Sequence, residues 1–238
     1  MSYLLTEEQK GRLLKAIGAV FSIPFIDDLE DYIWEAVFTY VKDIPPFDPL
    51  ASIRSKRLFD VVDKKNKIGW SAKALQWKIE PEIEFELVIQ RADIIKKHAE
   101  LGFEKLDRNS KPDRLGAALL KHWFIEKVQK DAEYQKVDDR RVCILLKSRD
   151  RTQFAYFEDK LQEYKSAEIE WHWTDETKTG LQGKRKKDGF CVFRWYPNQT
   201  QFFERFKLPS DSFIFKLKPS RLQLDETVEL LSAYLNKR

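Results

Sequence analysis

A continuous apolar run restricts the folds open to this chain more than any other segment. It spans 142–146 and reads Val-Cys-Ile-Leu-Leu, a pattern typical of a strand buried on both faces of a sheet. Helix and strand patterns alternate after it, with a helix predicted over 154–165 and strands over 168–174, 189–196 and 212–217. The sequence therefore predicts an α/β protein whose mixed central β-sheet is flanked by helices.

The N-terminal region is predicted to be helical. Thr6 and Gln9 form a capping-box pattern that begins a helix reaching about Ala19. A second helix is predicted to follow Asp27-Asp28 and to reach about Lys42, before Pro45 and Pro46. The remaining predicted helices are 82–99, 114–135, 198–207 and 225–236. With no repeat and no long Pro/Gly linker, 1–238 is expected to form a single domain.

Composition excludes several classes of function. The two cysteines lie in apolar runs, and the three histidines are scattered, so neither a disulfide framework nor a zinc site is expected. No Gly-rich phosphate loop is present, which argues against a nucleotide cofactor. The N-terminus lacks a signal-peptide pattern and no apolar run is long enough for a membrane span, so a cytoplasmic protein without a membrane partner is expected.

The segment from Arg57 to Lys73 has the pattern of a β-hairpin, with two strand-like runs around a polar tip. With Lys65 and Asn66 at the turn, Asp60 lies opposite Ser71. Side chains alternate between the faces of a strand. One face would then be apolar and carry Phe59, Val61, Ile68, Trp70 and Ala72, while the other would carry Asp60, Ser71 and Lys73.

A carboxylate and an amine on adjacent strands suit metal-dependent phosphodiester cleavage, in which the carboxylate binds a divalent ion and the lysine activates water or stabilises phosphate charge. The arrangement of Asp60 followed by Ser71-Ala72-Lys73 resembles the PD-(D/E)xK nuclease superfamily, within it the type II restriction endonucleases. Ser71 matches the variant in which serine replaces the usual glutamate. The competing interpretation is a surface hairpin with a solvated aspartate and lysine.

The resemblance implies a restriction-endonuclease-like core and a second acidic group, because Ser71 cannot bind the metal as a carboxylate does. Glu86, on the helix predicted after the hairpin, is one candidate, and with Asp60 it would bind Mg²⁺. Glu35, on the helix before the hairpin, is the other, although a solvated helix carboxylate would look the same. The sequence leaves the choice between Glu35 and Glu86 open.

A basic run lies between the two aromatic strands of the C-terminal half and is predicted to be a loop that contacts phosphates. Stacking or base-edge contacts could come from the flanking strands. The residues predicted to bind DNA are Lys184, Arg185, Lys186, Lys187, Trp171, Trp173, Arg194 and Tyr196. A solvated loop tip and plain core tryptophans are the alternative interpretation.

The resemblance as a whole implies a Mg²⁺-dependent, sequence-specific double-stranded DNA endonuclease that acts as a homodimer in a restriction-modification system. Its catalytic core would lie at about 27–150 and its DNA-recognition elements at about 166–217. The alternative function is a non-catalytic nucleic-acid-binding protein that uses the basic run 184–187. A third possibility is an interaction scaffold with no nucleic-acid role.

Overall fold

The computed structural model describes residues 3–45, 57–218 and 220–236. Its helices are α1 (Glu7–Ser22), α2 (Asp31–Val41), α3 (Pro112–Leu120), a π-helix (Lys121–Gln129), α4 (Lys130–Gln135), a short 3₁₀-helix (Ser166–Glu168) and α5 (Leu224–Leu235). Its strands are β1 (Val61–Asp63), β2 (Ile68–Gln76), β3 (Glu84–Arg91), β4 (Asp139–Lys147), β5 (Gln153–Lys160), β6 (Ile169–Trp173), β7 (Leu181–Arg185), β8 (Cys191–Tyr196), β9 (Gln201–Lys207) and β10 (Phe213–Lys216). Most of segment 45–55, which joins the second predicted helix to the hairpin and is predicted to be a loop, falls outside these residues. Within them, no helix has the length and apolar character needed to cross a membrane.

The chain divides into two compact units. Unit 1 comprises 1–81, 136–160 and 209–238, and unit 2 comprises 82–135 and 161–208. Segment 82–135, which belongs to the predicted catalytic core, is therefore part of unit 2. The single-domain prediction stays a prediction.

Unit 1 is built on a mixed sheet with the strand order β1-β2-β4-β5-β10. Strands β2 and β4 are parallel, whereas the other neighbours are antiparallel. The predicted run 142–146 is buried within β4, as expected of a central strand. The apolar sides of α1 and α2 share one core with this sheet, which includes Trp34, Phe38, Trp70, Leu145 and Tyr156. The predicted α/β class with a mixed sheet and a helical N-terminal region is confirmed.

Unit 2 contains an antiparallel sheet with the order β3-β9-β8-β7-β6. Its long helical element runs continuously through α3, the π-helix and α4, which confirms the helix predicted over 114–135. Trp171 of β6 is buried and stacks on Phe193 of β8, with ring centroids 6.1 Å apart. The helical element lies against this side of the sheet, since Gly116 of α3 is next to the Trp171 indole.

The predicted hairpin is present in the expected register. Val61 pairs with Trp70, and Asp63 pairs with Ile68. Trp70 and Ala72 are buried on the apolar face, as predicted. The prediction is wrong for Phe59, whose ring lies 2.8 Å from the position that a Cβ on Gly69 would take and therefore on the face opposite Trp70. Strand β1 begins only at Val61, so strict alternation does not extend back to Phe59.

Three predicted helices are wrong, because each segment forms a strand instead. Segment 82–99 contains β3 followed by turns, 154–165 contains β5, and 198–207 contains β9. The sequence also missed β7, which lies inside the loop predicted between the two aromatic strands. In each case pairing with neighbouring strands outweighs the local helical pattern, since strand formation depends strongly on tertiary context.

Candidate active site

Asp60 and Lys73 form an ion pair in unit 1, between the segment that leads into β1 and the middle of β2. The Lys73 Nζ atom lies 3.1 Å from Asp60 Oδ2, which also accepts a hydrogen bond of 2.9 Å from the backbone N–H of Ala72. Nζ donates a further bond of 3.0 Å to the Ala72 carbonyl oxygen. The Lys73 and Asp60 side chains are only 26% and 17% exposed. The pair is thus held in place by the backbone of β2.

Helix α2 brings two further carboxylates to this pair. Asp31, in its first turn, accepts a hydrogen bond of 3.2 Å from the backbone N–H of Ala74, the residue after Lys73. Glu35 follows one turn later on the same side of the helix, and its charge acts on Lys73. Ser71 lies buried in β2 at 6% exposure. The charges of three acidic side chains, those of Asp60, Asp31 and Glu35, therefore act on Lys73.

The electrostatics follow from burial and from these charges. Burial raises the pKa of Asp60. The positive charge of Lys73 and the hydrogen bond from the Ala72 N–H oppose this rise only in part, and the negative charge of Asp31 adds to it. Burial alone would lower the pKa of Lys73, but the negative charges of Asp60, Asp31 and Glu35 outweigh it and raise that pKa. Lys73 is therefore a cation at neutral pH, not a free base.

The residues present suit a hard divalent cation by their chemistry, since Mg²⁺ prefers carboxylate oxygens. Burial is the main cause of the raised Asp60 pKa and the charge of Asp31 adds to it; a bound cation would relieve the repulsion between these two carboxylates. Among the described residues, Asp60 Oδ1 accepts no hydrogen bond, because the bonds from Ala72 and Lys73 both end on Oδ2. The described residues contain no group of three or more His, Cys, Asp or Glu side chains already arranged as metal ligands.

Glu86 is on strand β3 of unit 2 and not on a helix. Its Oε2 atom is 3.3 Å from Arg194 Nη1 and 3.8 Å from Arg205 Nε. The carboxylate is therefore already engaged by two arginines on neighbouring strands. The carboxylates that act on Asp60 and Lys73 are those of α2.

The aromatic residues predicted to contact DNA differ in their accessibility. Trp171 is 3% exposed and packed against Phe193, so its ring faces the core of unit 2 and not solvent. Trp173 and Tyr196 are half-buried. Arg194 is engaged by Glu86, and the Tyr196 ring meets Phe203 edge-on. The prediction that Trp171 offers a stacking surface is thus inconsistent with its burial.

The basic run is the end of β7 and the start of the turn into β8. Arg185 is bound by Asp188 through Nε and Nη2, at 2.9 and 2.6 Å, and lies over the Phe190 ring. Lys184, Lys186 and Lys187 are exposed and form no ion pair within the described part of the chain. Three cations are consequently available at this turn, while the fourth stabilises it.

Asp31 is the site residue that the sequence prediction missed. A signal was present, because Asp31 and Glu35 are four residues apart and so share one side of α2. Nothing local to α2 indicates that this side faces the Asp60–Lys73 pair, since the approach depends on how α2 packs on β2.

Comparison of the chain with protein-family models, with curated proteins and with solved structures found no match in any of the three.

Proposed function

We propose that this protein is a Mg²⁺-dependent endonuclease that hydrolyses phosphodiester bonds of double-stranded DNA at specific sites. The observation that carries the proposal is the buried Asp60–Lys73 pair with the Asp31 and Glu35 carboxylates beside it. Asp60, Asp31 and Glu35 would hold the metal ion. When bound, Mg²⁺ would supply Lewis-acid stabilisation of the negative charge on the phosphate.

Lys73 has a defined role in this proposal. Its raised pKa keeps the ammonium protonated at neutral pH, so it stabilises the negative charge that develops on the phosphate. The hydrogen bonds to Asp60 Oδ2 and to the Ala72 carbonyl oxygen restrict Nζ to one position. A fixed donor of this kind needs little reorganisation during the reaction.

Asp60 serves as the anchor of the site. Its Oδ2 atom binds Lys73 and the Ala72 N–H, which orients the carboxylate, and Oδ1 would be the oxygen that binds the metal ion. Ser71 stands between Asp60 and Lys73 in the sequence and has no carboxylate. In this proposal the further acidic groups are therefore Asp31 and Glu35 of α2. Glu35 is preferred over Glu86 as the further carboxylate, because Glu86 is paired with arginines in unit 2.

Cleavage of supercoiled plasmid with and without Mg²⁺ tests the proposal. We expect discrete fragments only with Mg²⁺, and a rate loss of about 10²- to 10³-fold in Lys73→Ala, since one charge-stabilising donor contributes about that much. Lys78→Ala is a matched control, because Lys78 follows the same strand but is 73% exposed. DNA affinity of Lys73→Ala should stay close to that of the wild type.

Two further variants separate the candidate carboxylates. Glu35→Gln is expected to lose activity, whereas Glu86→Gln should retain it if its role is limited to the arginine pairs of unit 2. Circular dichroism checks that each variant is folded. Full activity in Lys73→Ala would rule out the mechanism, and full activity in Glu35→Gln would remove α2 from it.

The exposed lysines at the β7–β8 turn support a second candidate function, non-catalytic binding of nucleic acid. In that case gel shifts would weaken with salt, while Mg²⁺ would leave plasmid intact.

The proposed restriction-type activity also includes a homodimer that cuts both strands of its site.

A further inference from the structure

Helix α5 presents an unusually apolar surface to solvent. Its exposed large apolar side chains are Leu224, Val228, Leu230, Leu231 and Tyr234, each between 52% and 60% accessible. Of the α5 side chains that the structure describes, only Thr227 is buried. Leu224, Val228 and Leu231 follow the i, i+4, i+7 spacing of a helix that docks into an apolar groove. An exposed patch of this kind marks an interaction site.

A groove of matching character lies between α1 and α2 in the same unit. It has a volume of about 390 Å³ and is lined by Lys15, Ala16, Ala19, Val20, Ile33, Ala36, Val37 and Tyr40. Alanines at three of these positions leave room for the side chains of an incoming helix. Tyr40 at the rim is itself 50% exposed.

The charges of the two surfaces are complementary. Over its length α5 carries Asp225, Glu226 and Glu229 and no basic residue. The single charged residue that lines the groove is Lys15, which is exposed and forms no ion pair with any described residue. Glu229 is likewise exposed and unpaired in the described part of the chain. An acidic helix and a groove with a free lysine at its rim suit each other.

The α5 of the same chain does not fill this groove. Its N-terminal lead is fixed to the end of α1, because the Leu222 N–H donates to the Ser22 carbonyl oxygen at 2.9 Å. Arg221 binds Asp27 at 3.0 Å. With its start held there, α5 keeps its apolar side chains in solvent. A second copy of the chain carries both the groove and the exposed helix, so it could cover the α5 of the first copy and fill the groove of the first copy with its own α5.

We propose that α5 of one copy packs into the α1–α2 groove of a second copy, and that the second copy returns the same contact. A two-fold dimer makes this contact twice. Two copies of the contact are needed, because α5 is only twelve residues long and one such helix buries a small area, whereas stable interfaces bury more than about 1,000 Å² in total. The proposed nuclease activity also includes a homodimer, but this interface is inferred from the two surfaces alone, and its test is separate from the cleavage assay.

Light scattering during gel filtration tests the dimer directly. The wild type should be dimeric at about 100 µM, a concentration at which even weak self-association is populated, and Leu231→Glu should be monomeric. Ala233→Glu is the matched control, because Ala233 lies on the side of the same helix opposite Leu224, Val228 and Leu231, and this variant should remain dimeric. Both positions are exposed, so neither variant threatens the fold. A monomeric wild type, or a dimeric Leu231→Glu, overturns the proposal.

Charge reversal and crosslinking test which surfaces meet. Lys15→Glu and Glu229→Lys should each weaken the dimer several-fold, and the double variant should recover most of that loss. Mixing Ala36→Cys with Leu231→Cys protein should give a disulfide-linked heterodimer under mild oxidation, whereas each variant alone should not crosslink. The native Cys143 and Cys191 are buried. Crosslinking of Leu231→Cys alone would indicate α5 against α5 and would overturn the groove as its partner.

Discussion

Glu158 is a carboxylate whose side chain is completely buried on β5 of unit 1. It accepts hydrogen bonds from Lys42 Nζ, from Trp70 Nε1 at 2.7 Å and from the Tyr156 hydroxyl at 2.5 Å. Burial, together with the charge of Glu158, raises the pKa of Tyr156 well above its usual range. The carboxylate thus joins the C-terminal end of α2 to strands β2 and β5 of the sheet.

Glu158→Ala should lower the free energy of unfolding by about 3–5 kcal/mol, because it leaves a mostly buried lysine and two further donors without their acceptor. Urea denaturation followed by fluorescence measures the change. Lys42→Met combined with Glu158→Leu should cost less than the sum of the two single changes, since it removes both charges together. A loss below about 1 kcal/mol in Glu158→Ala would contradict the proposed importance of these bonds.

Gly116 shows how closely α3 approaches the sheet of unit 2. A Cβ at this position would lie 2.2 Å from Trp171 Nε1, and the indole is stacked on Phe193 and cannot easily withdraw. Gly116→Ala should therefore destabilise the protein by about 1–3 kcal/mol, despite the higher helix propensity of alanine. Gly11→Ala is the control, because apart from its chain neighbours and the nearby backbone of α1 no atom of the described residues lies within 4 Å of its Cβ position. Thermal unfolding should show a lower midpoint for the first variant and an unchanged or higher one for the second.

At the scale of elements, the β1–β2 hairpin is organised by Asp63. Its Oδ1 atom accepts the backbone N–H groups of Lys65 and Asn66 at 2.9 and 3.0 Å, and Oδ2 accepts the Asn66 side chain. Partial burial raises the pKa of Asp63, but these hydrogen bonds and Lys65 outweigh it, so the pKa is lowered. The turn residues that the sequence placed at the tip are thus held by the aspartate before them.

The lowered pKa sets the sign of a pH effect. Because the folded-state pKa lies below the unfolded value, the contribution of Asp63 is present above about pH 4 and is lost as the pH falls through the folded pKa. Asp63→Ala should cost about 1 kcal/mol at pH 7, as loss of a local cap does. Asp63→Asn should lower the free energy of unfolding by less than Asp63→Ala does, and its stability should depend less on pH than that of the wild type. Urea midpoints at pH 7 and pH 3 that change equally in wild type and Asp63→Asn would contradict this assignment.

Element type was predictable where one local signal dominated. The capping box places Thr6 before α1, where its side chain accepts the Gln9 N–H, and alternation sets the register of β1 with β2. Segments with competing signals were misassigned. The four consecutive residues from Phe154 to Phe157 are all buried, so the segment shows neither the helical period of 3.6 residues nor the strand period of two. It forms β5 because β4 and β10 pair with it on both sides. The glutamates of β3 favour a helix locally but are paired across the sheet with β9.

At the scale of the whole molecule, the net charge is only +4, so DNA affinity depends on where the cations lie. Changing Lys184, Lys186 and Lys187 to Gln together should weaken DNA binding and reduce the slope of log affinity against log salt by about 2 to 3, since each phosphate contact contributes about 0.9. Fluorescence anisotropy with labelled duplex and EDTA, over a series of salt concentrations, measures both quantities without cleavage.

Arg185→Gln is the comparison for that triple change. Asp188 already binds this arginine. Removing the arginine should therefore change the slope of log affinity against log salt by less than the value of about 0.9 expected for one phosphate contact. An unchanged slope in the triple variant would show that DNA binds elsewhere on the protein.

By itself, the sequence determined the features that depend on neighbours along the chain: the buried strand 142–146, the capped first helix, and the hairpin that sets Asp60 against Lys73. Side-chain period and turn chemistry act over a few residues, so they are legible without a fold. Only the tertiary structure decided that Asp31 and Glu35 approach Lys73, and that Glu86 belongs to another unit with arginines as its partners. Those outcomes come from α2 packing on β2 and from β3 pairing with β9, contacts between distant segments that no local pattern encodes.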